Sequence, residues 1–167
     1  MTEEKGLRRL IIDKLYTHSI YKKDPKPTGD VYWDYFLVSR AFLDCDPVSI
    51  CILGLGGGTA VHYYNRYFRP ERIDGIEINS TMIKVAKEYF DLNHPNLKII
   101  NQGAVEYMRE TSQKYDLILV DLYEGGGQAK NTNSPEFYAD MRRCLTEGGL
   151  VAVNRFSLHS HKKLNDE

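Results

Sequence analysis

Two acids and a cluster of glycines hold the chemistry legible in this chain of 167 residues. Glu77 closes the run Arg72-Ile73-Asp74-Gly75-Ile76-Glu77-Ile78, and Asp121 closes Tyr115-Asp116-Leu117-Ile118-Leu119-Val120-Asp121. Upstream stands Ile50-Cys51-Ile52-Leu53-Gly54-Leu55-Gly56-Gly57-Gly58-Thr59-Ala60. Gly54, Gly56, Gly57 and Gly58 let the backbone turn tightly and let a ligand approach with no Cβ in the way. A helix that starts after them offers free backbone N–H groups and its positive dipole end. Glu77 follows the turn by about 20 positions, the spacing at which an acid grips ribose hydroxyls in nucleotide-binding βαβ units. Asp121 adds a second acid facing the same crevice. These residues predict a nucleoside site.

The turn also limits which nucleoside. A dinucleotide wants G-x-G-x-x-G/A, but from Gly54 the last position is Thr59, and from Gly56 it is Val61. The missing glycine is the one that lets helix and pyrophosphate approach closely. Adenosylmethionine carries an adenosine and a sulfonium but no phosphate, so it needs the turn and the ribose acid without that glycine. The residues favour a sulfonium nucleoside over a dinucleotide.

Regularly alternating elements must position these residues. Strands are expected at Val48–Leu55, at 72–78, at Leu97–Ile100, at Tyr115–Asp121 and at Leu150–Val153, the fourth with a continuously apolar interior. Helices are expected from Ala60 to Phe68, from Thr81 to Phe90 with Asn79 or Ser80 as cap, from Ala104 to Thr111 and from Pro135 to Leu145. Strands separated by helices imply right-handed crossovers and a parallel sheet, ordered 3-2-1-4-5, with the ligand over the carboxyl ends. Ahead of this core, residues 7–21 read as one or two short strands, 22–30 as a loop, and Tyr32 to Leu43 as a helical segment ended by Pro47. Aromatic residues at helical spacing ordinarily pack in a core, which leaves Tyr32 and Tyr35 between packing and substrate contact. Glu124 to Asn133 is a glycine- and asparagine-rich loop, a lid or a plain connection.

The bulk numbers set outer bounds. One domain with 42% hydrophobic and 27% charged residues can bury a core. With 22 basic and 23 acidic residues, no global charge argues for nucleic acid or membrane as partner. No apolar run has the length of a membrane span, and the first residues lack the apolar core of a signal peptide. Cys45, Cys51 and Cys144 have no metal-type spacing, and a reduced, cytoplasmic setting is the expectation. His159 and His161 alternate as two ligands of a metal do, but with no third ligand near they read as part of a polar tail, so no metal is expected.

Four motifs together carry a resemblance: Leu53-Gly54-Leu55-Gly56-Gly57-Gly58, then 73–79, then 115–121, then Gly148-Gly149-Leu150-Val151-Ala152-Val153-Asn154. With Leu10-Ile11-Ile12-Asp13 and Ser19 at the start, and Tyr32-Trp33-Asp34-Tyr35 after it, the chain resembles the spermidine synthase-like proteins, polyamine aminopropyltransferases and their relatives, over roughly residues 7–156. The resemblance implies an α/β, Rossmann-like fold of the class I methyltransferase type with a small N-terminal β remnant; the further helix and antiparallel strand pair that usually end such sheets are missing from the sequence. The expected organisation is 1–30 as β segment and loop, 31–156 as nucleoside-binding domain and 157–167 as polar tail.

Residue by residue, the resemblance gives Glu77 the ribose hydroxyls and turns Gly54, Gly56, Gly57, Gly58 and Thr59 towards the nucleoside tail, with Ile78, Gly103 and Ala104 completing the nucleoside contacts. Asp121 matches the catalytic acid, and Tyr35, Tyr123 and Glu124 fall on the substrate side. The implied donor is decarboxylated adenosylmethionine or adenosylmethionine, the acceptor a polyamine or other small amine, and the assembly a homodimer. Two positions depart from the family pattern. Thr59 stands where aminopropyltransferases have an acid that meets the amino end of the decarboxylated donor. Gly103 stands where an acid receives the adenine amino group, a task open to Gln102 or Asn101. Three readings follow: aminopropyl transfer to a polyamine, methyl transfer from adenosylmethionine, and a relative that kept the sheet but lost the site.

Overall fold

The computed structural model describes residues 2–4, 6–12, 16–24, 26, 27, 29, 31–124 and 127–155. Gly125, Gly126 and the segment 156–167, with His159 and His161, lie outside the described residues. The chain opens with three antiparallel strands in the order β1-β2-β3: β1 (Thr2–Glu4), β2 (Leu7–Ile12) and β3 (Tyr16–Tyr21). The pattern of residues 7–21 foretold the last two. β1 has three exposed residues and no alternation to announce it.

The aromatic segment does form a helix, but a short one. α1 (Tyr32–Phe36) buries Trp33 and Phe36, then tightens into a 3₁₀ turn over Leu37–Phe42. Ser39 donates its hydroxyl to the Phe36 carbonyl at 2.6 Å, the local side-chain bond that competes with α-helical pairing.

The α/β core follows. Its elements are β4 (Ser49–Leu53), α2 (Thr59–Tyr67), β5 (Arg72–Ile76), α3 (Ser80–Tyr89), β6 (Leu97–Ile100), α4 (Ala104–Glu110) and β7 (Tyr115–Val120). Then come the small hairpin β8 (Tyr123–Glu124) and β9 (Gly127–Gln128), α5 (Pro135–Arg143) and β10 (Leu145–Val153). The hairpin occupies part of the stretch expected as plain loop.

The large sheet runs β6-β5-β4-β7-β10 with every pairing parallel, the expected 3-2-1-4-5 order of core strands. Alternate residues of β4 feed two cores. Ile50 and Ile52 pack with Trp33, Val61, Tyr64 and Ala86 on the α1, α2 and α3 face. Cys51 and Leu53 pack with Met108, Phe137 and Met141 on the α4 and α5 face. Burial on both faces is why the strand reads as an unbroken apolar run.

Helix ends follow their caps. Asn79 Oδ1 accepts from the N–H groups of Thr81 and Met82 at 3.0 and 3.2 Å, and Ser134 Oγ accepts from Phe137 N–H at 3.2 Å with Pro135 at the first helical position. One boundary differs from expectation. α5 stops at Arg143, and β10 already begins at Leu145, with an irregularity before Leu150. Gly148 at φ +75° carries the strand through that irregularity, so the glycine pair interrupts a strand as well as following a helix.

Candidate functional site

The carboxyl ends of three adjacent strands build the site. Leu53, the last residue of β4, is in register with Ile76 of β5 on one side and Val120 of β7 on the other. Glu77 and Asp121 are the next residues on those two strands, so they flank the glycine turn about 10 Å apart, two strand spacings. Gly54 turns the chain between them at φ +87°, and a Cβ there would lie 2.1 Å from the Asp121 carbonyl oxygen. Only glycine fits.

Asp121 is held by both carboxylate oxygens. The Tyr32 hydroxyl donates to Oδ2 and the Asn154 amide to Oδ1, each at 2.9 Å. Tyr32 rests edge-on against Trp33 and Phe36, while Asn154 sits one residue past β10, with its backbone N–H on the Val120 carbonyl at 2.9 Å. Burial raises the Tyr32 phenol well above its ordinary pKa, and the Asp121 charge adds to the shift, so Tyr32 stays a donor at every pH at which the protein works. The sequence leaves Tyr32 between packing and substrate contact and offers Asn154 only as the end of a motif, so their hold on Asp121 comes from the structure. The available signal was position: Asn154 ends the run Leu150-Val151-Ala152-Val153, as Glu77 and Asp121 end theirs.

Glu77 is turned back over the glycines. Its Oε2 accepts from the Gly56 N–H at 3.1 Å and its Oε1 from the Asn79 N–H at 2.9 Å. Asn101 steadies the same corner, donating to the carbonyls of Glu77 and Ile78 at 2.8 and 2.9 Å. Ile78 is 75% exposed, an apolar shelf beside the acid. Gly103 precedes α4 as its cap residue, Ala104 opens the helix, and the Gln102 amide donates to Glu110 at 2.8 Å.

Within the glycine turn itself the amides are occupied. Gly54 and Leu55 donate to the Ile76 carbonyl, Gly58 donates to the Leu55 carbonyl, Gly56 to Glu77, and Gly57 to the Ser19 hydroxyl at 2.7 Å. Thr59 is buried and faces β3. Ile20 N–H donates to its oxygen at 2.9 Å, and its hydroxyl donates to the Ile20 carbonyl at 2.8 Å. The small N-terminal sheet is thereby fastened across the turn. Arg8 adds an outer tie, donating to the Tyr89 carbonyl at 2.9 Å.

The substrate-side candidates are spread. Tyr35 is 61% exposed and gives its hydroxyl to the Gly29 carbonyl at 2.9 Å. Tyr123 donates to the Asn154 carbonyl at 3.2 Å, which brings it to the Asp121 corner. Glu124 belongs to the β8–β9 hairpin on the same side.

Elsewhere, a groove of about 310 Å³ lined by Arg72, Asp74, Lys98 and Tyr107 lies along β5 and β6, away from the glycine turn. Among the described residues no three His, Cys, Asp or Glu side chains stand together as metal ligands, and no helix is long and apolar enough to cross a membrane.

Known proteins resemble this chain in sequence and in fold. The chain is 32% identical over 136 residues to a probable polyamine aminopropyl transferase of Bifidobacterium longum, covering 81% of this chain and 30% of that protein. It is 27% identical over 115 residues to the polyamine aminopropyltransferase of Methanocaldococcus jannaschii, covering 66% and 39%. It thus spans about a third of the length of these relatives. Human methyltransferase-like protein 13, solved with SAH, superposes with a TM-score of 0.69 at 20% identity over 80% of this chain and 68% of the other. A spermidine synthase solved with the transition state analogue AdoDATO gives 0.60 at 24% identity over 67% and 40%. With the observed strand order, these likenesses identify the class I methyltransferase fold. The family model described as the spermine/spermidine synthase domain covers residues 36–166, from α1 past the end of β10, and the chain belongs to that family.

Proposed function

We propose that the strand tips bind a sulfonium nucleoside of the adenosylmethionine type and that the chain transfers the aminopropyl group of the decarboxylated donor to a polyamine. The observation that carries this reading is the placement of two acids on either side of a glycine turn, with Asp121 held on both oxygens. The relatives named polyamine aminopropyltransferases support the group transferred. In this reading Glu77, held at the tip of β5 by the Gly56 N–H, takes the ribose hydroxyls, the exposed Ile78 is an apolar shelf for the base, and the turn allows close approach without Cβ atoms.

Such a donor, when bound, supplies a carbon activated by a positively charged sulfur and a good leaving group. The chain supplies charge and position. An amine with a lysine-like pKa of about 10.4 arrives protonated and cannot attack carbon. Asp121 attracts that ammonium, orients the nitrogen towards the carbon beside sulfur and accepts its proton, which passes on to solvent. The C–N bond then forms, the C–S bond breaks, and its electron pair stays on sulfur as the neutral thioether methylthioadenosine. Tyr32 and Asn154 hold the carboxylate in one orientation, which makes positioning the main contribution of this corner.

A second reading, methyl transfer from intact adenosylmethionine, is favoured by one observation. Thr59, uncharged and spent on Ile20, leaves the ammonium of a decarboxylated donor without an acid at that position. Calorimetry with both donors and with methylthioadenosine, followed by mass analysis of a polyamine after incubation, separates the readings. Tighter binding of the decarboxylated donor and a mass gain of one aminopropyl group are expected. Preference for the carboxylated donor with a methyl gain would move the assignment to the second reading. If no probe at millimolar concentration raises the melting temperature, the chain is a relative without the site, since a specific ligand must stabilise the folded form.

A further inference from the structure

We infer that the groove between β5, β6 and α4 is a second ligand site, and that it takes a small zwitterion of the amino-acid type, with the ammonium on Asp74 and the carboxylate on Lys98 and Arg72. The site lies away from the glycine turn, and the inference does not rest on the nucleoside reading above.

Strand alternation builds the site. Arg72 and Asp74 of β5 share one face with Lys98 of β6, and α4 brings Tyr107 and Thr111 against it. These residues border about 310 Å³, within the size range of small-molecule sites. β5 is otherwise apolar, with Ile73 and Ile76 buried, so the acid in its middle is out of keeping with the strand. Asp74 is only 3% exposed, and a buried carboxylate is costly unless both of its oxygens are satisfied. One oxygen is satisfied: Tyr115 donates to Oδ2 at 2.7 Å, with Arg72 Nε 3.7 Å from the same atom. Oδ1 is buried and has no hydrogen-bond partner within the protein, and neither has Arg72 Nε. An acceptor and a donor are thus left open side by side, against one groove.

The neighbouring cations do not close that gap. Arg72 is committed at its other end, where its terminal nitrogens donate to the Gln113 side-chain oxygen at 2.6 Å and the Lys114 carbonyl at 3.0 Å, and its guanidinium lies over the Tyr115 ring at 5.2 Å. Lys98 is in register with Asp74 on the adjacent strand, about 4.8 Å away along the sheet. Among the described residues no ion pair joins the two, and the Lys98 side chain is exposed at the rim of the groove. The lining is therefore one carboxylate flanked by two cations, the complement of a molecule that carries one ammonium and one carboxylate. The ammonium donates to Asp74 Oδ1, and the carboxylate accepts from Lys98 Nζ and Arg72 Nε. A polyamine is opposed by the two cations, and a dianion by Asp74.

The test is an amide NMR titration of the unaltered protein with each common L-amino acid, and with acetate and methylamine as the two halves of the zwitterion. At least one amino acid should bind with a Kd of about 1 mM or tighter, shifting the amides of Asp74, Lys98 and Thr111 saturably. Acetate and methylamine should each bind at least about tenfold more weakly, because each meets only part of the lining. Lys98→Ala, at an exposed position, removes one charged contact and should weaken the amino acid about tenfold. Asp74→Asn keeps the side chain's shape but not its charge and should abolish binding; if that variant does not fold, Lys98→Ala still decides. The inference is overturned if no amino acid at about 10 mM gives a saturable shift at these amides. Affinity unchanged in Lys98→Ala overturns it too, and so does acetate binding as tightly as the amino acid, which marks an adventitious ion only. Methylthioadenosine added to the same samples should leave the three groove amides in place, so this site and the nucleoside site succeed or fail separately. A saturable shift of the groove amides with that probe would contradict a separate site.

Discussion

The hydroxyl of Tyr32 donates to Oδ2 of Asp121 at 2.9 Å, joining the first helix of the chain to the tip of β7 across 89 positions of sequence. The relationship makes the aromatic segment part of the site, because the carboxylate proposed to meet the substrate is oriented from outside the sheet that carries it. Asp121→Asn should abolish turnover and leave methylthioadenosine binding within about twofold. Tyr32→Phe keeps the packing but removes a donor to a charged group, so kcat should fall roughly 10- to 100-fold with donor affinity unchanged. Steady-state kinetics together with calorimetry checks both; full activity in Tyr32→Phe would remove its positioning role.

Gly54 and Gly148 both adopt positive φ, +87° and +75°, but only the first is crowded. A Cβ at Gly54 would sit 2.1 Å from the Asp121 carbonyl oxygen, whereas at Gly148 nothing lies within 4 Å. Gly148→Ala should cost only the left-handed backbone penalty of about 1–2 kcal/mol. Gly54→Ala must in addition push β7 from β4, so it should cost upwards of about 4 kcal/mol or prevent folding. Urea unfolding of the two variants gives the comparison, and equal losses would contradict the contact.

Asp116 clamps the other ends of the strands. Its Oδ2 accepts from the N–H groups of Val48 and Ser49 at 2.9 and 2.8 Å, and its Oδ1 from the Thr146 hydroxyl at 2.8 Å. Burial alone would raise its pKa, but the donors from Ser49, Thr146 and Val48 outweigh that and hold the carboxyl below its ordinary value. A carboxyl depressed in the folded state contributes stability that is present above its unfolded pKa of about 3.9 and is lost as pH falls through the lower folded value. Asp116→Ala should lower stability at neutral pH by about 2 kcal/mol through orphaned backbone donors, or about 4–8 °C in Tm. It should also flatten the loss of Tm on acidification below the unfolded value.

His62 and His94 form the acid-sensitive point of the N-terminal sheet's seat. His62 bonds the Phe90 carbonyl through Nε2 at 2.8 Å and His94 through Nδ1 at 2.9 Å, under the ring of Tyr21 and close to Asp91. Burial, helped by His94, pushes the His62 imidazole down to about 4. The unfolded chain takes up that proton first, near pH 6.5, so the stability contributed by the neutral ring is complete above that pH and drains away as pH falls towards 4. The difference of about 2.5 pKa units corresponds to about 3 kcal/mol at most. Unfolding free energies measured from pH 7 to 4 should show this slope, and His62→Gln should remove most of it. A slope unchanged in the variant would place the proton elsewhere.

The architecture was legible because its causes are local. Buried strands have to be apolar on both faces, Gly54 and Gly148-Gly149 mark breaks in the backbone, Asn79 and Ser134 mark helix starts, and alternation of strand and helix leaves few parallel orders. The positions of Glu77 and Asp121 at strand tips follow from the same runs, so the two acids and the glycine turn could be placed without coordinates.

The sequence by itself therefore determined the sheet, its order and which residues stand at its carboxyl edge. Tertiary structure alone decided what those residues touch: Ser19 on Gly57, Thr59 on Ile20, Tyr32 and Asn154 on Asp121, and the shortening of α1 by the Ser39 hydroxyl. Most of these join side chains and backbone groups tens of positions apart, where no periodicity or spacing reaches. Their partners are set by how separately formed elements pack, since a hydrogen bond requires an approach of about 3 Å and a fixed direction that only the assembled chain provides.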